Sequence, residues 1–266
     1  MNVPEWVHPV GGIAVVRPPL PGPLVCGICR GPSRAGSEFC WCCRKVCAAL
    51  GEMPASVPYV WPTAVFGPGD PWSLCLRRYK DAPVAAARRH FASVLGAEAE
   101  RFLAIHGRCL REATGGFDSY SVVPTSRLQA RAIGRHPLEA VIAGVGALSA
   151  LDPVRLRPSG PTSHLKPSAG AFVAVDESRV AGRRALVVED CWVTGARALS
   201  AVAALRSAGV SVTGILVLGR SVDPSASSAS GSWWADLGCR SGFTDGAWRC
   251  SHNCIALSPP APRRGR

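Results

Sequence analysis

The chain has 266 residues, 47% apolar and 18% charged, with 30 basic against 18 acidic side chains and a formal net charge of +12. That length and composition support one large domain, or a domain with a small appendage, and exclude a chain too polar to fold. No apolar run is long enough to span a bilayer and no charged-then-apolar leader opens the chain, so a cytoplasmic protein without a membrane span is expected. The positive excess is spread along the chain. It suits a phosphate-bearing partner (sugar phosphate, nucleotide or nucleic acid), and it equally fits a generally basic surface.

Residues 1–24 are rich in Pro and Gly and read as an irregular arm. Cys26-Gly-Ile-Cys29 and Cys40-Trp-Cys-Cys43 follow, ten residues apart. Each knuckle points two thiolates at one ion, and Cys26, Cys29, Cys40 and Cys43 complete a closed, structural zinc shell. Cys42 and Cys47 are spare sulfurs that can replace the fourth ligand. Gly27 and Gly31 are expected to ease the tight turns. Residues 51–75 carry five prolines and read as loop, with a strand between Tyr59 and Phe66.

Leu76 to Lys80 leads into a long helical pattern in which Val84, Ala87, Phe91, Val94, Leu95, Phe102 and Ile105 recur. Phe117 to Val123 reads as a strand that runs into Pro124, Thr125, Ser126 and Arg127, a basic, hydroxyl-bearing loop suited to phosphate. Pro137 opens a helix that ends at Asp152-Pro153. Residues 152–170 have no pattern, and a loop of that length acts as a lid or is disordered. A short strand spans Ala171 to Val175.

Next comes the densest stretch, Ala185 to Arg197. Four apolar residues run into Glu189 and Asp190, and Thr194-Gly195 precede a helix from about Arg197 to Ala208 capped by Gly209. Acids at a strand's carboxyl end before a helix N-terminus suit a ligand with both hydroxyls and a phosphate. Carboxylates accept from hydroxyls, and loop amides hold the anion. Val210 to Leu218 completes a βαβ unit. Residues 221–232 read as a Ser-rich linker. In the tail, Cys239, Cys250, His252 and Cys254 form a weaker second metal cluster or a reduced, Trp-rich packing segment.

Paired cysteine knuckles, Arg78-Tyr-Lys80 before a helix, Val123-Pro-Thr-Ser126 and Val187-Val-Glu-Asp190 before Thr194-Gly195 occur in that order over residues 24–220. Together they resemble the ComF family of phosphoribosyltransferase-like proteins. The resemblance implies an α/β fold, a parallel-sheet type I phosphoribosyltransferase-like domain with a small N-terminal zinc-ribbon-like module. It divides the chain into an arm and zinc module (1–50), a linker (51–82), the transferase-like domain (83–222) and a Ser-rich linker with a Cys/Trp-rich tail (223–266).

It further implies that Glu189 and Asp190 hold the ribose hydroxyls of phosphoribosyl pyrophosphate at the reacting centre. Thr194, Gly195, Ala196 and Arg197 would wrap the 5′-phosphate. Pro124, Thr125, Ser126 and Arg127 would face the pyrophosphate with magnesium, and Lys80 matches the family's Tyr-Lys segment. The activity implied is phosphoribosyl transfer to an acceptor. Because the family is associated with DNA uptake, single-stranded DNA or DNA-uptake proteins are the alternative partners of a non-catalytic adaptor. Val193 and Arg197 stand where the family pattern has hydroxyls, and Trp192 is unusual in such a loop.

Overall fold

The computed structural model describes residues 7–19, 22–125, 136–161 and 163–239. The chain opens with a hairpin, β1 (Val7–Val10) and β2 (Ile13–Val16), where an irregular arm was expected. Gly11 and Gly12 between them both take positive φ, 56° and 79°, the conformation a two-residue hairpin turn demands. The cysteine knuckles come next, and the second leads into α1 (Trp41–Ala49).

The proline-rich stretch holds two strands, β3 (Tyr59–Pro62) and β4 (Val65–Phe66). A helix, α2 (Pro71–Asp81), begins inside the stretch read as loop and takes in Leu76 to Lys80, and the apolar pattern from Val84 to Ile105 follows in a separate helix, α3 (Ala85–Thr114). Pro83 explains the break, because it pushes Ala82 out of helical geometry. After β5 (Ser119–Val122) come α4 (Pro137–Ile142) and the single turn α5 (Gly146–Ser149). Asp152-Pro153 does not simply end a helix: it forms β6 (Asp152–Pro153), at the sheet edge where proline is tolerated.

The patternless 152–170 region also contains β7 (Leu156–Pro158), which pairs antiparallel with β8 (Phe172–Ala174). The turn α6 (Glu177–Val180) precedes β9 (Arg184–Glu189), α7 (Ala196–Ser207), β10 (Ser211–Val217) and β11 (Arg220–Ser221). The Ser-rich segment, read as linker, enters α8 (Ser228–Cys239). Trp233 and Leu237, one turn apart, bury against Val16, Val25, Val65 and Val222, and that apolar contact outweighs the poor helix propensity of the serines.

The main sheet has the spatial order β3, β10, β9, β5, β6, and every neighbouring pair is parallel. Segment 51–82 therefore supplies an edge strand of this sheet. A second sheet runs β1, β2, β4, β11. β9 is buried on both faces, so alternate residues serve different cores. Ala185 and Val187 pack toward α7, α1 and the knuckles, while Leu186 and Val188 pack toward α2, α3 and α4. The fold class read from the sequence, a parallel-sheet α/β domain carrying a small four-cysteine module, is the one observed. No helix among the described residues is long and apolar enough to cross a membrane.

Candidate functional site

The sheet order decides where a ligand can sit. From β5 the chain crosses through α4 to β6 on one side, and from β9 it crosses through α7 to β10 on the other. The two helices lie on opposite faces. Between the carboxyl ends of β5 and β9 the loops diverge and leave a crevice, the usual ligand position in such sheets. Pro124 and Thr125 lie on one lip, and Glu189 to Arg197 form the other. The Arg197 guanidinium spans the gap and donates to the Pro124 carbonyl.

Glu189 and Asp190 are both 4% exposed. Asp190 Oδ2 accepts from Tyr79 Oη at 2.5 Å and pairs with the Lys80 ammonium, both at the end of α2. Burial opposes the Asp190 charge, yet Lys80 and the hydrogen bonds from Lys80 and Tyr79 outweigh it and hold the carboxyl below its usual range. Glu189 goes the other way. Burial pushes it up to about 8, Arg197 pulls it down, and the charge of Asp190 adds to the rise. Glu189 Oε2 is buried with no hydrogen-bond partner among the described residues. Two adjacent acids with separated proton affinities, one of them holding an unused acceptor, are the kind of pair that functional sites build.

The loop after Asp190 is shaped by Trp192 and Gly195. Trp192 is 1% exposed, so it packs and does not offer a stacking face. Gly195 has φ +87°, and a Cβ there would sit 2.2 Å from the Trp192 ring, so both backbone and space require glycine. Thr194 Oγ1 accepts from Ala196 N at 3.2 Å and donates to the His164 carbonyl. Ser168 N also donates to Ser200 Oγ at 2.9 Å. The segment between β7 and β8 thus lies against the loop and the start of α7. Thr194, Gly195, Ala196, Arg197, Glu189, Asp190, Lys80, Pro124 and Thr125 come together around one crevice. Ser126 and Arg127 lie outside the described residues, as do Cys250, His252, Cys254 and the side chain of Cys239.

Two contributors escaped the sequence. Tyr79 enters the sequence reading only inside the Arg78-Tyr-Lys80 segment, with no role of its own, and only the fold turns its hydroxyl onto Asp190. His136 caps α4, accepting from Leu138 N at Nδ1 over 3.0 Å. Burial pushes it down to about 4, the Asp190 charge pulls it up, and Lys80 and Arg197 push it further down. The neutral ring this implies is the form whose Nδ1 can accept. His136 also lines a cavity of about 410 Å³ beside the crevice, with Tyr120, Thr125, Glu139, Arg155 and Arg157.

On the face of the sheet toward α7, the sulfurs of Cys26, Cys29, Cys40 and Cys43 all lie within 4.8 Å of one another, and Cys29 and Cys40 are 3.8 Å apart. Tetrahedral zinc–sulfur bonds of about 2.3 Å place sulfurs about 3.8 Å apart, so this donor set fits zinc and leaves no open position. Cys40 N donates to Cys26 Sγ at 3.2 Å, and Cys43 N to Cys40 Sγ at 3.4 Å. Four thiolates on one dication leave two negative charges, and the buried Arg30 and Arg220 stand beside them. Cys42 and Cys47 are not in the cluster. Arg30, not Gly27 or Gly31, takes the positive φ (59°) in the first knuckle.

No protein-family model matches the chain, and no curated protein does. Among solved structures, the UMP synthase of Leishmania donovani is 19% identical with a TM-score of 0.32. The match covers 61% of this chain and 27% of that one, so the chain spans about a quarter of that enzyme. The orotate phosphoribosyltransferase of Mycobacterium tuberculosis H37Rv with Fe(III) dicitrate is 20% identical, TM-score 0.29, over 55% of this chain and 76% of that one. The adenine phosphoribosyltransferase of Leishmania tarentolae is 10% identical, TM-score 0.33, over 60% and 92%.

Proposed function

We propose that the crevice between β5 and β9 binds phosphoribosyl pyrophosphate, or a closely related sugar phosphate, together with magnesium, and that the chain is a ComF-like phosphoribosyltransferase. The observation that supports this best is the acid pair at the switch point. Asp190 is held charged by Lys80 and Tyr79, and Glu189 keeps a buried acceptor oxygen unused. A ribose hydroxyl would supply the donor that Glu189 Oε2 lacks. The Cys191–Arg197 loop and the N-terminus of α7 lie beside it, where a 5′-phosphate would meet backbone amides.

The acid oxygens are also hard ligands that suit magnesium, which would take up charge on a departing pyrophosphate. The chemistry is substitution at the anomeric carbon. Positive charge grows on the sugar ring as pyrophosphate leaves, and the nearby Asp190 carboxylate stabilises it. No protein nucleophile is required. Arg197 would exchange the Pro124 carbonyl for a phosphate oxygen, a charge-assisted contact worth about 1.5–3 kcal/mol, offsetting the hydroxyls that Val193 and Arg197 replace.

Calorimetry with phosphoribosyl pyrophosphate and magnesium tests the reading. Binding to the wild type and a loss of at least about tenfold in Asp190→Asn are expected. No binding to the wild type, or equal binding to the variant, overturns it. Release of pyrophosphate on adding an acceptor then separates turnover from binding.

A further inference from the structure

Arg220 joins the two halves of the molecule that the sequence treats as separate modules. It is 6% exposed and opens β11, just past the point where β10 leaves the sheet. Its Nη1 donates to the carbonyls of Trp192 at 3.1 Å and Val193 at 3.0 Å, and to that of Ser221. The backbone reinforces the contact: Trp192 N donates to the Gly219 carbonyl at 2.9 Å, and Ser221 N to the Trp192 carbonyl at 3.0 Å.

The other side of the guanidinium faces the cysteine module. A Cβ on Gly31 would lie 2.6 Å from Nη2 and 2.9 Å from Nε, so the knuckle's backbone closes over Arg220. Burial opposes the guanidinium charge, and the negative charge of Cys29, then of Cys40 and Cys43, outweighs it. The absent side chain at Gly31 serves this approach and not the turn.

A buried guanidinium needs both acceptors and a countercharge. The loop carbonyls of Trp192 and Val193 supply acceptors but no charge. A filled tetrathiolate centre supplies the charge and fixes the knuckle around it. Emptying that centre removes both, and Arg220 then has no reason to stay where it pins the loop.

We propose that Arg220 is a positioning residue that couples metal occupancy of the Cys26/Cys29/Cys40/Cys43 cluster to the conformation of the Cys191–Arg197 loop. The consequence for anion binding rests on the sugar-phosphate reading above; the coupling itself does not.

Amide hydrogen exchange of the full chain, read by mass spectrometry without ligand, tests it. Four samples are compared: zinc-loaded wild type, chelator-stripped wild type, zinc-loaded Arg220→Met and zinc-loaded Gly31→Ala, whose added methyl displaces Arg220 while keeping its charge. Exchange over residues 191–197 is expected to rise at least tenfold in the last three, with α3 and β5 unchanged. Stripping zinc from Arg220→Met is expected to add nothing further, and Arg220→Lys to fall between wild type and Arg220→Met.

Unchanged loop exchange on stripping the wild type overturns the proposal. So does an equal response to stripping in wild type and Arg220→Met, or a rise spread evenly over the chain. If Arg220→Met does not fold, Gly31→Ala decides by the same criterion. Calorimetry with phosphoribosyl pyrophosphate on the same samples separates the two readings. A coupled loop in a protein that binds no donor defeats the functional reading alone, and a donor-binding protein with an uncoupled loop defeats this one alone.

Discussion

Lys80→Met is the most informative single change near the crevice. Methionine keeps most of the apolar stem and removes the ammonium. Asp190 then stays buried, with a side chain 6% exposed, and its countercharge is gone. Breaking a buried pair from one side costs about 3–5 kcal/mol. The Lys80 side chain is 18% exposed, so water screens part of the interaction and the lower end, about 3 kcal/mol, is expected. Against a total stability of about 5–15 kcal/mol, a loss of that size is easily read from urea unfolding at pH 7.

Two controls make this specific. Adding Asp190→Asn to Lys80→Met removes the stranded charge and is expected to recover most of the loss. The deficit is also expected to shrink in acid. The native Asp190 carboxyl is depressed, so its stabilisation is present above its unfolded value of about 3.9 and lost as pH falls through the native value. A deficit under about 1 kcal/mol, one that persists unchanged at low pH, or one that Asp190→Asn leaves in place would refute the account of the pair.

Tyr79→Phe deletes one hydrogen bond to a charged acceptor, and a loss of about 1.5–3 kcal/mol is expected in the same assay; no loss means the hydroxyl does not hold Asp190. Glu189 titrates at about 8 in the native state against 4.5 unfolded, so the native protein binds the extra proton between those values and loses stability as pH rises through them. Glu189→Gln is therefore expected to gain on the wild type by up to about 1.4 kcal/mol per pH unit over that interval, and parallel pH curves would refute the shift. Gly195→Ala forces a positive φ and a contact with Trp192, costing about 1–3 kcal/mol and weakening donor binding in calorimetry. Metal analysis should find one zinc for the Cys26/Cys29/Cys40/Cys43 site, and stripping it should lower the melting temperature.

What could be read from the chain was whatever is local. Two Cys-x-x-Cys knuckles carry their ligand geometry in their spacing, and the cluster forms from those four sulfurs. The run Ala185–Val188 into Glu189 and Asp190, then Thr194-Gly195, announces a buried strand, a turn and a helix because each step is set by neighbours in sequence. Gly209, with φ +75°, ends α7 where its position foretold.

Elements whose stability comes from distant partners were not legible. The strand expected between Tyr59 and Phe66 is present as β3 and β4, but its position was not readable: β3 joins the main sheet because β10 offers it a parallel edge. The hairpin at Val7–Val16 and the helix through the serines at 228–232 are held by burial against segments far along the chain.

Sequence alone determined the pieces of chemistry: four thiols, two acids, a glycine turn and a lysine. Tertiary structure alone decided their company. Helix α2 ends where Tyr79 and Lys80 reach Asp190, and strand order puts the Pro124 lip opposite Arg197. Arg220, one arginine among many in a basic chain, lies between the cysteine cluster and the Trp192–Val193 carbonyls. Spacing in sequence fixes what short stretches can do, whereas the charge balance of a buried group depends on which strands the sheet sets side by side.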